Sequence, residues 1–345
     1  MQIRICRLYG KRDIRIETDE VGDPQPGEVL VQMGAGGICG SDLHYYQDGG
    51  FGPIRVREPI ILGHEIAGTI VAVGAAVTSL RAGDRVAVNP SRPCGHCRYC
   101  RDGKFQHCLE MRFLGSAMRF PHEQGGFRGH MLVAAPQCLP IADEVPIGEA
   151  ACSEPLAVCV HAANRAGDIR GRKVLVTGAG PIGALCVAVA AHRGASEIVV
   201  TDLQDATLAI AEKMGATRTI NVAKDANAMD EYFKDKGYFD LAFECSAAPS
   251  AIHTAISALS PLGRLVQVGV AGEVPVPLNL IVSKEIELLG THRFHSEFAQ
   301  AVDLINSRSI DVSPMITATY ALEDALAAFE AAGDRTRSVK VQLAF

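Results

Sequence analysis

Lys173-Val-Leu-Val-Thr177-Gly178-Ala-Gly180-Pro-Ile-Gly183, followed by Ala184-Leu-Cys-Val-Ala-Val-Ala-Ala191, decides the fold. A β-branched run enters three glycines spaced G-x-G-x-x-G, and an alanine-rich apolar segment leaves them. Val174–Ala191 carries no charge and has the length of a membrane span, but Gly178, Gly180, Pro181 and Gly183 interrupt it. The reading is strand, tight turn and helix inside a sheet protein. Gly178 makes the turn, Gly180 lets a pyrophosphate approach the backbone, and Gly183 lets helix and strand pack closely. Pro181 and Ile182 open the helix, whose free N–H groups and positive dipole end suit phosphate. Asp202 ends the next predicted strand. A carboxylate there binds both ribose hydroxyls and repels a 2′-phosphate. Leu203-Gln204-Asp205 offers no cation beside it, so NAD is expected, with NADP the runner-up. The bland alternative for Asp202 is a helix N-cap. Val268, Gly269 and Val270, at the end of a later predicted strand, are further candidate cofactor contacts.

The same texture continues around this motif. Glu197–Thr201, Thr217–Asn221, Phe239–Glu244, Arg264–Val270 and Ile286–Leu289 read as strands. Pro181–Arg193, Asp205–Met214 and Ser250–Ser260 carry helical periodicity. Strands alternating with helices predict a parallel sheet covered on both faces. Upstream the pattern differs. Val29–Met33, Ile66–Val73, Arg85–Val88 and His130–Ala134 are short apolar runs between turn signals, which predicts a β-rich domain. The tail offers helices at Glu297–Asn306 and Leu322–Ala332 and a last strand near Val339–Leu343. The expected class is α/β, with a β-rich domain over 1–150, a doubly wound parallel sheet over 151–291, and a tail over 292–345.

Composition agrees with two domains. The chain has 345 residues, and domains take roughly 150 each. Apolar residues at 48% and charged residues at 21% exclude a disordered or fibrous chain. A net charge of −6 gives no global basic field for nucleic acid or an anionic membrane. Eleven cysteines are an odd number, and Met1–Gly10 holds Arg4, Cys6 and Arg7 rather than the apolar run of a secretion signal. The expectation is a cytoplasmic protein with metal-bound thiols and no disulfide framework.

Cys94, Cys97, Cys100 and Cys108 form C-x2-C-x2-C-x7-C, with Pro93, Gly95 and Gly103 bending the chain. Four thiolates this close surround one tetrahedral zinc ion, and a closed shell makes that site structural. Iron–sulfur ligation also uses four cysteines, but nothing else in the chain calls for electron transfer. Arg92, Arg98, Arg101, Lys104 and Arg112 make this lobe basic, which reads as a solvated or subunit-facing surface. A second ligand set is open. Cys39 offers a thiolate, His64 an imidazole, and Glu65 or Glu154 a carboxylate. Mixed S, N and O ligands with one position left for water or substrate describe a catalytic zinc.

These motifs, in this order and spacing, make the chain similar over its length to the zinc-dependent medium-chain alcohol and polyol dehydrogenases. The residues carrying the resemblance are Gly37-Ile-Cys39-Gly-Ser41-Asp, Gly63-His64-Glu65, the four-cysteine lobe, Ser153-Glu154-Pro155-Leu156 and Gly178–Gly183. The closer likeness is to the sorbitol dehydrogenase branch and its sugar-acid members. It rests on Asn89–Cys97, Met111–Met118 and Gly237–Asp240. The resemblance implies a GroES-like catalytic domain, completed by the tail, around a Rossmann domain. It places the catalytic metal ligands on Cys39, His64 and Glu154, with Glu65 alternative or exchanging. Liver-type members carry a cysteine where Glu154 stands, so the carboxylate favours the polyol type. Ser41 and His44 become candidates for a proton relay, with Glu154 acting through water as the competing route.

For the substrate, the resemblance points to a sugar acid such as L-idonate. Sorbitol, xylitol and, more remotely, threonine are the alternatives. An aldonate differs from a polyol by one carboxylate, so an anion-binding group should face the pocket. Arg293, at a position where the polyol branch has a substrate-contacting arginine, suits a bidentate carboxylate. Tyr45 and Phe113 are candidate pocket walls; Arg112, Arg119 and His122 are weaker anion readers. A homodimer or homotetramer is implied. Metal analysis of the purified protein is expected to find about two zinc ions per chain. Cys39→Ala or His64→Ala should halve that content and abolish turnover, and near-normal turnover in either variant would remove the catalytic assignment.

Overall fold

The computed structural model describes residues 1–225, 227–270 and 272–345. Numbering the elements used below in chain order, the first sheets are built from β1 (Gln2–Gly10), β2 (Asp13–Glu20), β3 (Glu28–Gly37), β4 (Glu65–Val73), β5 (Arg85–Val88), β6 (His130–Ala134) and β7 (Cys138–Pro140). Helix α1 (Gly40–Asp48) leaves the end of β3, and α2 (Ser153–Ala166) leads into the second sheet. There follow β8 (Lys173–Thr177), α3 (Pro181–His192), β9 (Glu197–Asp202), α4 (Asp205–Lys213), β10 (Arg218–Asn221), β11 (Phe239–Glu244), α5 (Pro249–Ala258), β12 (Leu259–Gln267), α6 (Leu278–Lys284) and β13 (Glu287–Gly290). The tail holds α7 (Glu297–Asn306), β14 (Ile316–Ala321), α8 (Ala325–Gly333) and β15 (Lys340–Ala344).

The second sheet runs β10-β9-β8-β11-β12-β13, with every pairing parallel. The strand order reverses beside β8, so a crevice opens at the carboxyl ends of β8 and β11, where such sheets bind ligands. Val174, Leu175 and Val176 are all buried. A central parallel strand has helices on both faces, so its apolar residues come in a run and do not alternate. The first sheet is antiparallel around β3, in the order β7-β5-β4-β3-β15-β14, with β6 also on β3. Its β15 comes from residues 340–344 and pairs with Gly37–Ala35 of β3. The chain end therefore closes the sheet that residues 28–37 began.

Three boundaries differ from the sequence reading. The strand expected at Arg264–Val270 begins at Leu259 and ends at Gln267. Leu259 and Ser260 belong to it, not to the preceding helix, and Lys284 explains why that helix stops. Its ammonium donates to the carbonyls of Ser257 at 2.7 Å and Leu259 at 2.9 Å, partners that further helix turns would otherwise take. Val268–Val270 consequently lie beyond the strand. The helix expected at Leu322–Ala332 divides into a 3-10 turn, Leu322–Asp324, and α8.

The two sheets are tied by α7 packing on α2. Glu297, in the first turn of α7, accepts from His161 Nδ1 at 3.0 Å, Asn164 Nδ2 at 3.1 Å and the His295 N–H at 2.9 Å. Burial works against its charge, but these donors outweigh it and bring the carboxyl down to about 2. A lowered carboxyl contributes stability above its unfolded value, about 4.5, and loses it as pH falls toward 2. Glu297→Gln is expected to reduce unfolding free energy at pH 7 by about 1–3 kcal/mol in urea melts. The gap from the parent should shrink between pH 4.5 and 2. A gap constant with pH would remove this role.

Candidate active site

Two chain segments meet at one buried carboxylate. Cys39 is the N-cap of α1 and Asp42 stands at its third position, so the Asp42 carboxylate reaches back to the Cys39 N–H, Oδ2 at 3.0 Å. Its Oδ1 accepts from the Gly63 N–H at 3.4 Å and lies 3.7 Å from His64 Nδ1. The side chain has no solvent exposure. It therefore fixes the Cys39 backbone, the turn before His64 and the orientation of the imidazole together. Burial raises its carboxyl, while His64 and the N–H donors pull the other way. Burial likewise opposes charge on His64, yet Asp42, Cys39 and Glu154 outweigh it and hold the imidazole well above its usual value.

Ligand atoms of Cys39, His64 and Glu65 lie within 4.8 Å of one another. Glu65 receives both its hydrogen bonds from Lys340 Nζ, at 2.7 and 2.6 Å. Lys340 also donates to the Ile38 carbonyl at 3.2 Å. Burial opposes its charge, but Glu65 and Cys39 outweigh it and raise its pKa. Glu154, at the start of α2, is not in the converging trio. It stands close enough to act on His64, Glu65 and Arg293, and burial pushes its carboxyl up to about 7. A thiol, an imidazole and a carboxylate that converge within 4.8 Å are the sulfur, nitrogen and oxygen donors zinc takes, so the donor set fits it. The Ser153 and Thr291 hydroxyls are buried with no protein partner.

The four-cysteine lobe also fits its metal. All four sulfurs lie within 4.8 Å of one another, with Cys94–Cys100 at 3.9 Å and Cys97–Cys100 at 3.6 Å. A tetrahedron with arms of about 2.3 Å has edges of about 3.8 Å. N–H groups of Cys94 and Glu110 donate to Cys108 Sγ, and that of Cys97 to Cys94 Sγ. N–H groups of Leu109 and Cys100 lower the Cys97 thiol to about 6. All eleven cysteines are free of disulfides.

The cofactor groove is a cavity of about 1080 Å³ bordered by Gly178, Gly180, Asp202, Cys245, Ser246 and Arg335. Gly178 has φ +88, and a Cβ on Gly183 would overlap the Gly178 carbonyl, so neither position takes a side chain. Gln204, not Asp202, is the N-cap of α4. Asp202 instead accepts from Ala179 N–H at 2.6 Å, tying the glycine loop to the next strand. Pro181 and Ile182 open α3. The Val268 and Gly269 N–H groups both donate to the Glu244 carbonyl, and Val270 is exposed.

The remaining candidates separate clearly. Ser41 lies half-buried in the first turn of α1. His44 is exposed and bonds Asp48 at 3.2 Å, so it is not brought into the metal cluster. Tyr45 is buried, its hydroxyl accepting from Ala117 N–H at 3.2 Å. Phe113 packs on the His64 ring at 5.4 Å, and the Arg293 guanidinium lies 4.3 Å over Phe113. The weaker anion readers are engaged elsewhere. Arg112 pairs with Glu123, Arg119 donates to the Met111 carbonyl, and His122 Nε2 accepts from Arg57 N–H. Arg293 makes no ion pair among the described residues.

Sequence reasoning assigned no role to Asp42, Lys340, Glu244 or Arg335. Glu244 is fully buried and collects Thr177, Ser246, Ala247 and Gln267, joining three strand ends at the groove. A lysine inside the apolar run Val339-Lys-Val-Gln-Leu343 was the available signal for Lys340. Asp42 is expected to set metal affinity through His64. Asp42→Asn should weaken catalytic zinc about 10- to 100-fold in chelator competition while the structural ion stays. Unchanged affinity would remove this role.

Comparisons with known proteins agree with this geometry. Residues 25–143 match the alcohol dehydrogenase GroES-like domain and residues 181–307 the zinc-binding dehydrogenase domain. L-idonate 5-dehydrogenase (NAD(P)(+)) of Escherichia coli K12 is 40% identical over 348 residues, covering 100% of both chains. Sorbitol dehydrogenase of Bacillus subtilis 168 is 37% identical over 330 residues, covering 94% of this chain and 92% of that one. The crystal structure of the Escherichia coli L-idonate 5-dehydrogenase superposes with a TM-score of 0.94, covering 100% of this chain and 99% of that one. The chain belongs to the zinc-binding, NAD(P)-dependent alcohol dehydrogenases.

Proposed function

We propose that this enzyme oxidises L-idonate to 5-ketogluconate, reversibly, with NAD as hydride acceptor. The observation that carries the reading is Arg293. It is a guanidinium with no carboxylate partner among the described residues, held over Phe113, which itself packs on the candidate metal ligand His64. A free bidentate donor beside the reacting centre suits a substrate with one carboxylate. The full-length similarity to the Escherichia coli enzyme supports the same substrate. A neutral polyol, sorbitol or xylitol, is the second reading, favoured by the similarity to the Bacillus subtilis enzyme. Asp202 beside Leu203 and Gln204 favours NAD over NADP, since a 2′-phosphate would meet a carboxylate.

In this reading residues 1–150 with 292–345 bind substrate and metal, and residues 151–291 bind cofactor. Cys39, His64 and Glu65 hold the catalytic zinc, with Glu154 behind them, and Cys94, Cys97, Cys100 and Cys108 hold the structural one. Zinc held there would supply a Lewis acid that makes the substrate hydroxyl more acidic, and NAD in the groove would be the hydride acceptor. Arg293 orients the substrate by its carboxylate. Phe113 and Tyr45 exclude water from the reacting carbon. Ser41, in the first turn of α1, accepts the proton and passes it outward, and Glu154 is the competing acceptor.

A homodimer completes the proposal, working in the cytoplasm without nucleic acid or membrane. No helix among the described residues is long and apolar enough to cross a membrane. Strand β13 is one of the two edges of the parallel sheet, with Leu288 exposed on it, and Leu278 and Val282 are exposed on α6. An open edge beside exposed apolar residues is a pairing surface. Light scattering is expected to give a dimer or its multiple, and Val282→Asp a smaller species; a monomeric parent would end this part. Arg293→Leu should lower kcat/KM for L-idonate about 100-fold, about 2.7 kcal/mol, and for sorbitol less than tenfold. Equal losses on both would remove the carboxylate-reading role.

A further inference from the structure

We propose that the four-cysteine lobe positions Arg293 for its substrate, acting through the rings of Phe105 and His107. The proposal rests on the reading of Arg293 given above. Arg293 has φ +51, a left-handed conformation that a residue with a side chain keeps only when its surroundings impose it. The surroundings that do so lie on the lobe. His295, two residues after Arg293, stacks on Phe105 with centroids 3.9 Å apart and planes 29° apart. His292, immediately before it, stacks on His107 at 6.0 Å and 21°. Arg293 is thus flanked on both sides by rings laid on one surface.

That surface is set by the cysteines. Phe105–His107 is a single turn between Cys100 and Cys108. Phe105 packs against the small cluster of Cys100, Cys108 and Met111. When four thiolates close on their metal, the turn between the third and fourth is fixed, and both rings with it. The lobe also supplies what lies under the guanidinium. Met111 leads directly into Arg112–Phe113, and Phe113 is the ring beneath Arg293. Phe294 is buried and anchors the loop to the main core, so the rings have only the turn at Arg293 left to orient. A site usually assigned to stability therefore has a path of touching rings to the substrate cleft. Phe105 and His107 are positioning residues, since neither touches the reacting atoms.

The test compares Phe105→Ala, Phe105→Tyr, His295→Ala, Arg293→Leu and the double variant Phe105→Ala/Arg293→Leu in the zinc-loaded enzyme. Zinc per chain, thermal midpoint, kcat and KM are measured with L-idonate and sorbitol. Phe105→Ala is expected to keep both zinc ions and raise KM for L-idonate about tenfold, with kcat and the sorbitol KM changed less than twofold. Phe105→Tyr should restore the parent KM, because the stack survives. In the Arg293→Leu background Phe105→Ala should add nothing, the signature of two residues acting as one. Should Phe105→Ala lose zinc, His295→Ala carries the test, since it removes the same stack and leaves the lobe untouched. Additive effects overturn the proposal, as do equal losses on both substrates from Phe105→Ala with zinc retained where Arg293→Leu separates the substrates. If Arg293→Leu alone fails to separate the substrates, the carboxylate reading falls, and the coupling is then read on whichever substrate Arg293→Leu impairs. If it impairs neither, both fall.

Discussion

Buried charge has to balance, and around Cys39 and His64 that requirement organises the catalytic half of the molecule. Cys39, Asp42, Glu65 and Glu154 bring four acidic groups into one low-dielectric space. An unpaired ion there carries a penalty of several kcal/mol even after relaxation. The chain supplies two cations beside them, Lys340 and Arg293. Each comes from a distant part of the sequence. Lys340 lies 275 residues from Glu65 and reaches it only because β15 pairs with β3. The strand that extends the sheet beyond β3 also carries the ammonium that pairs with Glu65. Replacing either partner of the Lys340–Glu65 pair would leave the other buried without its ion-pair partner, which destabilises the fold.

Division of labour within the cluster follows from the same balance. Glu65 is occupied by Lys340 on both oxygens, which tempers its charge as a ligand. Glu154 has no comparable donor, so burial leaves its carboxyl near neutrality, and a group in that state can hold or release a proton. Asp42 is held by the backbone N–H groups of Cys39 and Gly63, so its task is to fix the two segments that meet there. Three carboxylates of similar burial thus acquire different tasks from what surrounds them.

How much of this the sequence disclosed depended on distance along the chain. The glycine loop and the four cysteines were legible because their spacing is itself the geometry: a turn of a few residues carries all the donors. Strand and helix positions in the parallel sheet followed from uninterrupted apolar runs. The end of α5 was misjudged because Lys284, which takes up its last carbonyls, lies about 25 residues downstream and leaves no local mark. Choosing between Glu65 and Glu154 was beyond the sequence for a related reason. Both are carboxylates in suitable motifs, and only the pairing of β3 with β4 shows which one converges with Cys39. His44 looked equal to Ser41 by spacing. What separates them is local: Ser41 is half-buried in the first turn of α1, and Asp48, four residues beyond His44, holds the imidazole at the exposed side.

The C-terminal segment draws these threads together. Lys340 neutralises the metal cluster, and Arg335, five residues earlier, borders the cofactor groove next to Gly180. Around Arg335 the Asp334 carboxylate accepts from the Thr336 hydroxyl at 2.6 Å, which fixes the turn. One short stretch therefore touches both the Cys39–His64–Glu65 cluster and the groove beside the glycine loop. Neither sheet builds the candidate site alone. The glycine loop belongs to the parallel sheet, Glu65 to the antiparallel one, and residues 290–345 cross back from one to the other. A chain that ended after β13 would keep the glycine loop and the cysteines and lose Arg293, Arg335 and Lys340, so its most recognisable motifs would remain with no site between them.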